Sequence, residues 1–150
     1  MNIIEKYAIL EKAFKTLEEA IALYDKFIHR SKTIPCSEIF DTEQGLLYSL
    51  QDSLIIRFKY CTDLLWKYVK EFMETREKRL ITTPSPRGIF REACLIRIIS
   101  ETETEQCIAM VTDRNKTSHI YYREIADFIA KHIPAHYRLM SSILARLKPE

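Results

Sequence analysis

The stretch IIEKYAILEKAFKTLEEAIALYDKFI, residues 3–28, sets the fold of this 150-residue chain. Its apolar residues recur at alternating spacings of four and three positions, at 3, 7, 10, 14, 17, 21, 24 and 28. This spacing predicts an α-helix of about seven turns with one apolar stripe and charged side chains on its other faces. Such a stripe is typical of a helix that packs into a bundle.

A second long helix is predicted from the same kind of spacing. Asp41 or Thr42 can cap its first turn, and the apolar pattern ends near Arg76. The apolar positions of this helix are Leu47, Leu50, Leu54, Phe58, Cys61, Leu65, Tyr68 and Phe72. Residues 31–40, between the two long helices, predict the longest irregular connection.

Shorter helices are expected in the rest of the chain. Ser85 followed by Pro86 is typical of a helix N-cap and first position, and we expect this third helix to end at about Ile99. An acidic connection over residues 101–105 then leads to a fourth helix, residues 105–112. The last part of the chain, residues 122–147, is amphipathic, and Pro134 within it is expected to break or kink the helix.

Composition supports a helical, soluble protein. The chain has only two glycines and five prolines, which favours long helices with few connections over an all-β fold. We predict one all-α domain, residues 1–150, built as an antiparallel up-and-down helical bundle with a four-helix core and extra short helices. With 23 basic and 21 acidic residues the net charge is only +2, so a nucleic-acid partner would need a local basic patch.

The cysteines and the N-terminus predict a cytoplasmic location. The four cysteines, Cys36, Cys61, Cys94 and Cys107, contain no C-x-x-C pair and are expected to be reduced. The sequence shows no secretory signal and no apolar run long enough for a bilayer, so we expect no membrane anchor.

The candidate functional site is the stretch DRNKTSHIY, residues 113–121. Arg114 offers a forked cation for phosphate oxygens, His119 can accept and return a proton, and Asn115 can donate a hydrogen bond to a developing oxyanion. Since the stretch has no cluster of metal ligands, this set favours phosphoryl chemistry or phosphate binding, with no metal and no cofactor. On a continuous helix Arg114 and His119 would point about 140° apart, so we expect a turn over residues 115–118.

Other interpretations of these residues remain open. An arginine and a histidine at this spacing are often only a helix cap and a helix-end cation, and no spacing decides for or against a nucleophilic cysteine–histidine pair. Arg57 in the second helix fits either a half-buried structural cation or a binding residue. Arg87 and Lys116 are further candidates for nucleotide or RNA binding. The remaining histidines, expected to be exposed or at helix ends, are His29, His132 and His136.

Three ordered motifs carry a resemblance to a known family. The motif DRN-x-TSH-x-Y at residues 113–121 resembles the signature of the nucleotidyltransferase substrate-binding proteins, which belong to the HEPN superfamily of helical nucleotide-binding domains. The second-helix motif at residues 52–67 and the third-helix start at residues 85–93 are similar to the family in order and spacing. Within the second motif, Lys59, Asp63 and Leu65 depart from the usual residues. We expect these departures to affect packing or partner contacts rather than the arginine–histidine stretch.

The resemblance implies a function as well as a fold. It implies a homodimer that partners a minimal nucleotidyltransferase and acts on RNA without a metal. His119 would be the acid and base, Arg114 would stabilise the transition state and Asn115 would assist it. The residue two positions after the histidine, Tyr121, would receive AMP from the partner, and the adduct would block RNA. The alternatives are a non-catalytic subunit that binds a nucleotide or substrate for the transferase, and a module that only assembles the dimer.

Overall fold

The computed structural model describes residues 1–30 and 43–150, and in these ranges it contains helices and no strand. The all-α class predicted from the sequence is confirmed. Five α-helices follow one another along the chain: α1 (Ile3–His29), α2 (Glu43–Thr75), α3 (Pro86–Leu95), α4 (Glu101–Lys116) and α5 (Arg123–Arg146). One turn of 3-10 helix, Thr117–His119, joins α4 to α5.

A capping box marks the start of helix α1, and the apolar spacing alone does not predict it. Asn2 and Glu5 form a capping box, in which each side chain accepts a hydrogen bond from the other residue's backbone N–H. The predicted stripe is buried or half-buried along most of the helix, but Ile28 at its end is 50% exposed. The predicted burial of Ile28 is therefore wrong, because the last turn extends beyond the core.

Helix α2 is the central helix of the bundle. It contacts α1, α3, α4, α5 and the 3-10 turn. Its predicted end near Arg76 is confirmed within one residue, since α2 ends at Thr75, whereas the proposed caps Asp41 and Thr42 and the predicted connection lie outside the described residues. Six positions of the predicted stripe are buried: Leu54, Phe58, Cys61, Leu65, Tyr68 and Phe72.

Helices α3 and α4 begin or end at positions other than those predicted. Ser85 caps α3 as expected, but the helix ends at Leu95 rather than near Ile99, because Arg97 adopts a left-handed backbone with φ 64°. Helix α4 starts four residues earlier than predicted. Ser100 and Glu103 form a capping box, so residues 101–105 are helical rather than a connection.

Helix α5 runs unbroken through Pro134, so the predicted break is wrong. The missing N–H of a proline weakens a helix interior, but tertiary packing can outweigh that loss. Here the residue before the proline, Ile133, is completely buried, and Ile129 and Met140 on the same helix are buried as well. The burial of this face on α2 and α1 therefore offsets the lost backbone hydrogen bond.

The core lies between the four long helices, and two tyrosines close it at the end where α5 terminates. Tyr68 Oη on α2 donates to the carbonyl of Leu147 at 2.6 Å, and Tyr7 Oη on α1 donates to the carbonyl of Leu144 at 3.4 Å. No helix in residues 1–30 and 43–150 is both long and apolar enough to span a membrane.

Candidate functional site

Arg114 is held by an aspartate from the central helix. Its Nε and Nη2 atoms donate to the two carboxylate oxygens of Asp63, both at 2.7 Å, and each side chain is 27% exposed. The hydrogen bonds to Asp63 raise the pKa of Arg114 and outweigh the opposing effect of burial. The guanidinium is therefore a fixed cation that uses two of its five N–H groups to bind Asp63.

Asp63 is the site residue that the sequence interpretation missed. We expected its departure from the family pattern to affect packing or partner contacts and not the arginine–histidine stretch. This expectation is wrong, because Asp63 contacts Arg114 directly. The two residues lie on different helices, so no periodicity within one helix could show the pair.

His119 and Tyr121 contact each other beyond the end of α4. His119 lies in the 3-10 turn, and its Nδ1 is 3.1 Å from Tyr121 Oη. The two rings meet edge-on with their centroids 5.9 Å apart, and Tyr121 is 67% exposed. His119 and Tyr121 are thus exposed and adjacent to each other.

The change of direction between Arg114 and His119 occurs later than predicted. Asn115 and Lys116 are still α-helical, and the 3-10 turn begins only at Thr117. Thr117 Oγ1 donates to the carbonyl of Arg114 at 2.7 Å and Ser118 Oγ donates to that of Asn115 at 3.2 Å. The Arg114 carbonyl also accepts the backbone N–H of Thr117, so backbone and side-chain hydrogen bonds together hold the end of α4.

The other candidate binding residues have separate contacts. Asn115 is exposed, while Lys116 Nζ lies 4.5 Å from the centroid of the Phe128 ring, in a cation–π contact. Arg87 donates to Thr112 Oγ1 at 3.1 Å, which fixes α3 to α4 one half-turn before Arg114.

Arg57 makes a structural contact. It donates to the carbonyl of Thr16 at 2.8 Å and so joins α2 to α1. Within the described ranges, no hydrogen bond or ion pair connects Arg57 to residues 113–121.

A second arginine–aspartate pair fixes the start of α5. Arg123 Nη1 and Nη2 donate to the two carboxylate oxygens of Asp52, at 2.9 and 3.1 Å, and Nη1 also donates to the buried Gln51 at 2.9 Å. The guanidinium lies 4.1 Å from the centroid of the Tyr48 ring. The turn that carries His119 is therefore attached to α2 on both sides, through Asp63 and through Asp52.

Asp113, the first residue of the stretch at 113–121, is buried and makes its contacts within the core. His136 Nε2 donates to its Oδ2 at 2.7 Å, and the His136 ring stacks on Phe58 with centroids 5.4 Å apart. His132 Nδ1 is 3.4 Å from the same oxygen. His136 is only 8% exposed, so its predicted exposed or helix-end position is wrong, because it pairs with a buried carboxylate.

The buried cysteines are poor nucleophiles. Cys61 and Cys107 are fully buried, and burial raises the pKa of each thiol to about 12. Cys94 is half-buried, and Cys36 lies outside the described residues. Within residues 1–30 and 43–150, no group of three or more His, Cys, Asp or Glu side chains is arranged to bind a metal ion.

The comparison of protein families agrees with the three motifs. The sequence profile of the family described as nucleotidyltransferase substrate binding protein like matches residues 5–149. The chain belongs to this family. The family resemblance inferred from the motifs at residues 52–67, 85–93 and 113–121 is confirmed. Among proteins of curated function, none matches the chain.

Solved structures share the fold along nearly the whole chain. A protein from Thermus thermophilus is 26% identical, with a TM-score of 0.64, and the match covers 88% of this chain and 98% of that one. A chain from the complex of the tri-AMPylated Shewanella oneidensis HEPN toxin with its MNT antitoxin is 18% identical, with a TM-score of 0.68 and 100% coverage of both chains. A chain from a toxin–antitoxin structure with AMP-PNP is 19% identical, with a TM-score of 0.69 and coverage of 99% and 100%. The last two similarities establish the helical fold.

Proposed function

We propose that this protein is a HEPN-type partner of a minimal nucleotidyltransferase and a metal-independent ribonuclease that is silenced by AMP transfer to Tyr121. One observation carries the proposal. A single helix end presents a fixed cation, Arg114, and an exposed histidine, His119, whose ring contacts an exposed tyrosine two residues later. The family membership and the AMPylated Shewanella HEPN toxin with a similar fold support it.

In RNA cleavage each side chain would have a role that follows from its chemistry. RNA itself supplies a nucleophile, the ribose 2′-hydroxyl, whose attack on phosphorus forms a 2′,3′-cyclic phosphate and expels the 5′-oxygen. His119 would transfer protons to and from these oxygens. Arg114 would stabilise the charge on the phosphorane-like transition state through the N–H groups that Asp63 leaves free, and Asn115 would add a neutral donor.

AMP on Tyr121 would block this reaction at its centre. The adduct would place a nucleotide and a negative phosphodiester beside His119, where the phosphate of RNA must lie. Steric exclusion and charge repulsion both act against RNA at that distance. The exposure of Tyr121 leaves its hydroxyl accessible to a second enzyme.

The proposal includes the assembly and the location of the protein. Residues 1–150 would form one domain, and two copies would associate so that their arginine–histidine stretches lie together. Arg87 on α3 and Lys116 at the end of α4 would contact RNA or nucleotide phosphates. The complex would be cytoplasmic.

The ribonuclease activity can be tested with purified protein and a structureless RNA in excess EDTA. We expect the wild type to cleave RNA but not the matching DNA, because DNA lacks the 2′-hydroxyl. His119→Ala should reduce cleavage by a factor of roughly 100 or more. The matched control is His29→Ala, since His29 is an exposed histidine at the end of α1. Equal cleavage by wild type and His119→Ala would remove the ribonuclease proposal.

The modification can be tested by intact mass after co-expression with the neighbouring minimal nucleotidyltransferase. We expect adducts of AMP mass on the wild type and on Tyr122→Phe, and none on Tyr121→Phe. Tyr122 is a suitable control because it is the adjacent residue and is 56% exposed. An unchanged adduct on Tyr121→Phe would show that Tyr121 is not the acceptor.

A second candidate function is a non-catalytic subunit that binds a nucleotide for the transferase. The observation that favours it is the pairing of Arg114 with Asp63, because the pair as a whole has no net charge and is suited to hold a phosphate at close range rather than to attract RNA from a distance. In that case nucleotide binding would be lost in Arg114→Ala, and RNA would stay intact. Arg138→Ala is the control, because Arg138 is exposed.

A further inference from the structure

The hydroxyl of Tyr121 has a base beside it. Within residues 1–30 and 43–150, its one hydrogen-bond partner is His119 Nδ1, at 3.1 Å. When the phenol donates, Nδ1 is unprotonated and the single proton of the neutral imidazole is on Nε2. In that tautomer, the nitrogen that faces the phenol can accept a proton.

The adjacent phenol lacks such a base. Tyr122 is 56% exposed, compared with 67% for Tyr121, and the two ring centroids are 4.6 Å apart. Among the described residues, Tyr122 Oη makes no hydrogen bond. Two exposed tyrosines at neighbouring positions thus differ in their contact with an imidazole.

Transfer of AMP to a phenol requires the loss of its proton. A free tyrosine has a pKa of about 10, so few molecules are ionised near neutrality. A positioned base that accepts the proton in the transition state typically accelerates such a step by about 100- to 10,000-fold. Contact at hydrogen-bond distance with the reacting oxygen is the geometric requirement, and His119 meets it.

We propose that His119 is the general base for the nucleotidylation of Tyr121. Tyr121 Oη attacks the α-phosphorus of ATP, the bond to the β-phosphate oxygen breaks, and pyrophosphate leaves. The phenolic proton passes to His119 Nδ1 and then to solvent. This inference rests on the proposed function and extends it. The histidine that acts in RNA cleavage also promotes the modification that stops this cleavage. It also directs the modification to Tyr121 rather than Tyr122.

The rate of adduct formation tests the proposal. ATP and the neighbouring nucleotidyltransferase are mixed with the wild type, His119→Asn and His119→Ala, and the adduct is followed by intact mass. Asn can accept the phenol's hydrogen bond but is not basic. We expect both variants to be slower than wild type by a factor of roughly 100. A wild-type rate in His119→Asn would overturn the proposal while leaving the modification of Tyr121 intact, whereas no adduct on the wild type would overturn the proposed function as well.

A chemical probe gives a second measurement without the partner. N-acetylimidazole acetylates accessible phenols, and peptide mass spectrometry gives the ratio of acetylation at Tyr121 to that at Tyr122 in the same molecule. We expect a ratio well above one in the wild type that falls to about one in His119→Asn and His119→Ala. The same ratio in all three proteins would overturn the proposal. Thermal unfolding of the variants serves as the control, since replacement of an exposed side chain changes stability by about 0.5 kcal/mol or less.

Discussion

Replacement of Asp63 by asparagine tests the ion pair with Arg114, because asparagine has nearly the same shape as aspartate but no charge. The amide retains one oxygen acceptor but presents an NH₂ group to the guanidinium, so one of the two 2.7 Å hydrogen bonds is lost. A hydrogen bond to a charged group contributes about 1.5–3 kcal/mol, and the partial exposure of both side chains screens the charge attraction. We therefore expect Asp63→Asn to lose about 2 kcal/mol of unfolding free energy.

Two measurements report on this variant. For a chain of this size a loss of about 2 kcal/mol corresponds to a decrease in Tm of roughly 4–8 °C, measured by circular dichroism. RNA cleavage should decrease by more than about tenfold at a temperature where the variant is still folded, because one hydrogen bond instead of two then fixes the orientation of Arg114.

The matched control is Glu92→Gln, which removes the carboxylate of another arginine pair. Arg79 Nη2 and Glu92 Oε2 are 2.9 Å apart, with side chains 40% and 33% exposed, on the surface of α3. We expect a loss of about 0.5 kcal/mol or less and unchanged cleavage. A wild-type Tm in Asp63→Asn would refute the inferred pairing, and a lower Tm with full cleavage would restrict Asp63 to a structural role.

Three further predictions follow from buried or crowded groups. Asp113→Ala removes the acceptor of the buried His136 and should lower the unfolding free energy by about 3 kcal/mol in urea titrations. Gly88→Ala would place a Cβ 2.7 Å from Ser85 Oγ, displacing the N-cap of α3, and should cost about 1 kcal/mol by the same measurement. Burial raises the pKa of Cys61 from 9.0 to about 12, so its contribution to stability is full below pH 9 and decreases as the pH rises toward 12. We expect the difference in unfolding free energy between wild type and Cys61→Ala to decrease over that pH range.

Each of these outcomes can fail in a distinct way. Wild-type stability in Asp113→Ala would mean that His136 does not depend on the carboxylate. An unchanged Gly88→Ala would mean that the N-cap of α3 adjusts without loss. A stability difference at Cys61 that is constant up to pH 12 would contradict the inferred burial of a neutral thiol.

The long helices could be predicted because their signal is local. The apolar spacing of residues 3–28 contains enough turns to specify both the helix and its buried face. The starts of α1 and α4 could also have been predicted from local signals, which are the capping boxes that begin at Asn2 and Ser100. The continuation of α5 through Pro134 could not be predicted, because it depends on the burial of that face by other helices.

The candidate site could be predicted only in part, for a similar reason. The residue types of the stretch at 113–121 predicted the chemistry that we propose for it, and the sequence also predicted a turn within it, which the structure has at Thr117–His119. The partners of those residues did not, because the pairs of Arg114 with Asp63 and of His136 with Asp113 join different helices. Such pairs depend on how the helices are rotated against one another, which composition and spacing do not determine.

The attachment of the turn at two points on α2 constrains its length. Asp52 and Asp63 lie eleven residues apart on one rigid helix, which is about 16 Å along its axis. The segment between Arg114 and Arg123 must therefore span this fixed distance. An insertion or deletion in this segment would pull one guanidinium away from its carboxylate, whereas substitutions would leave both attachments in place. The chemistry of this turn is therefore free to diversify by exchange of side chains while its length stays constant.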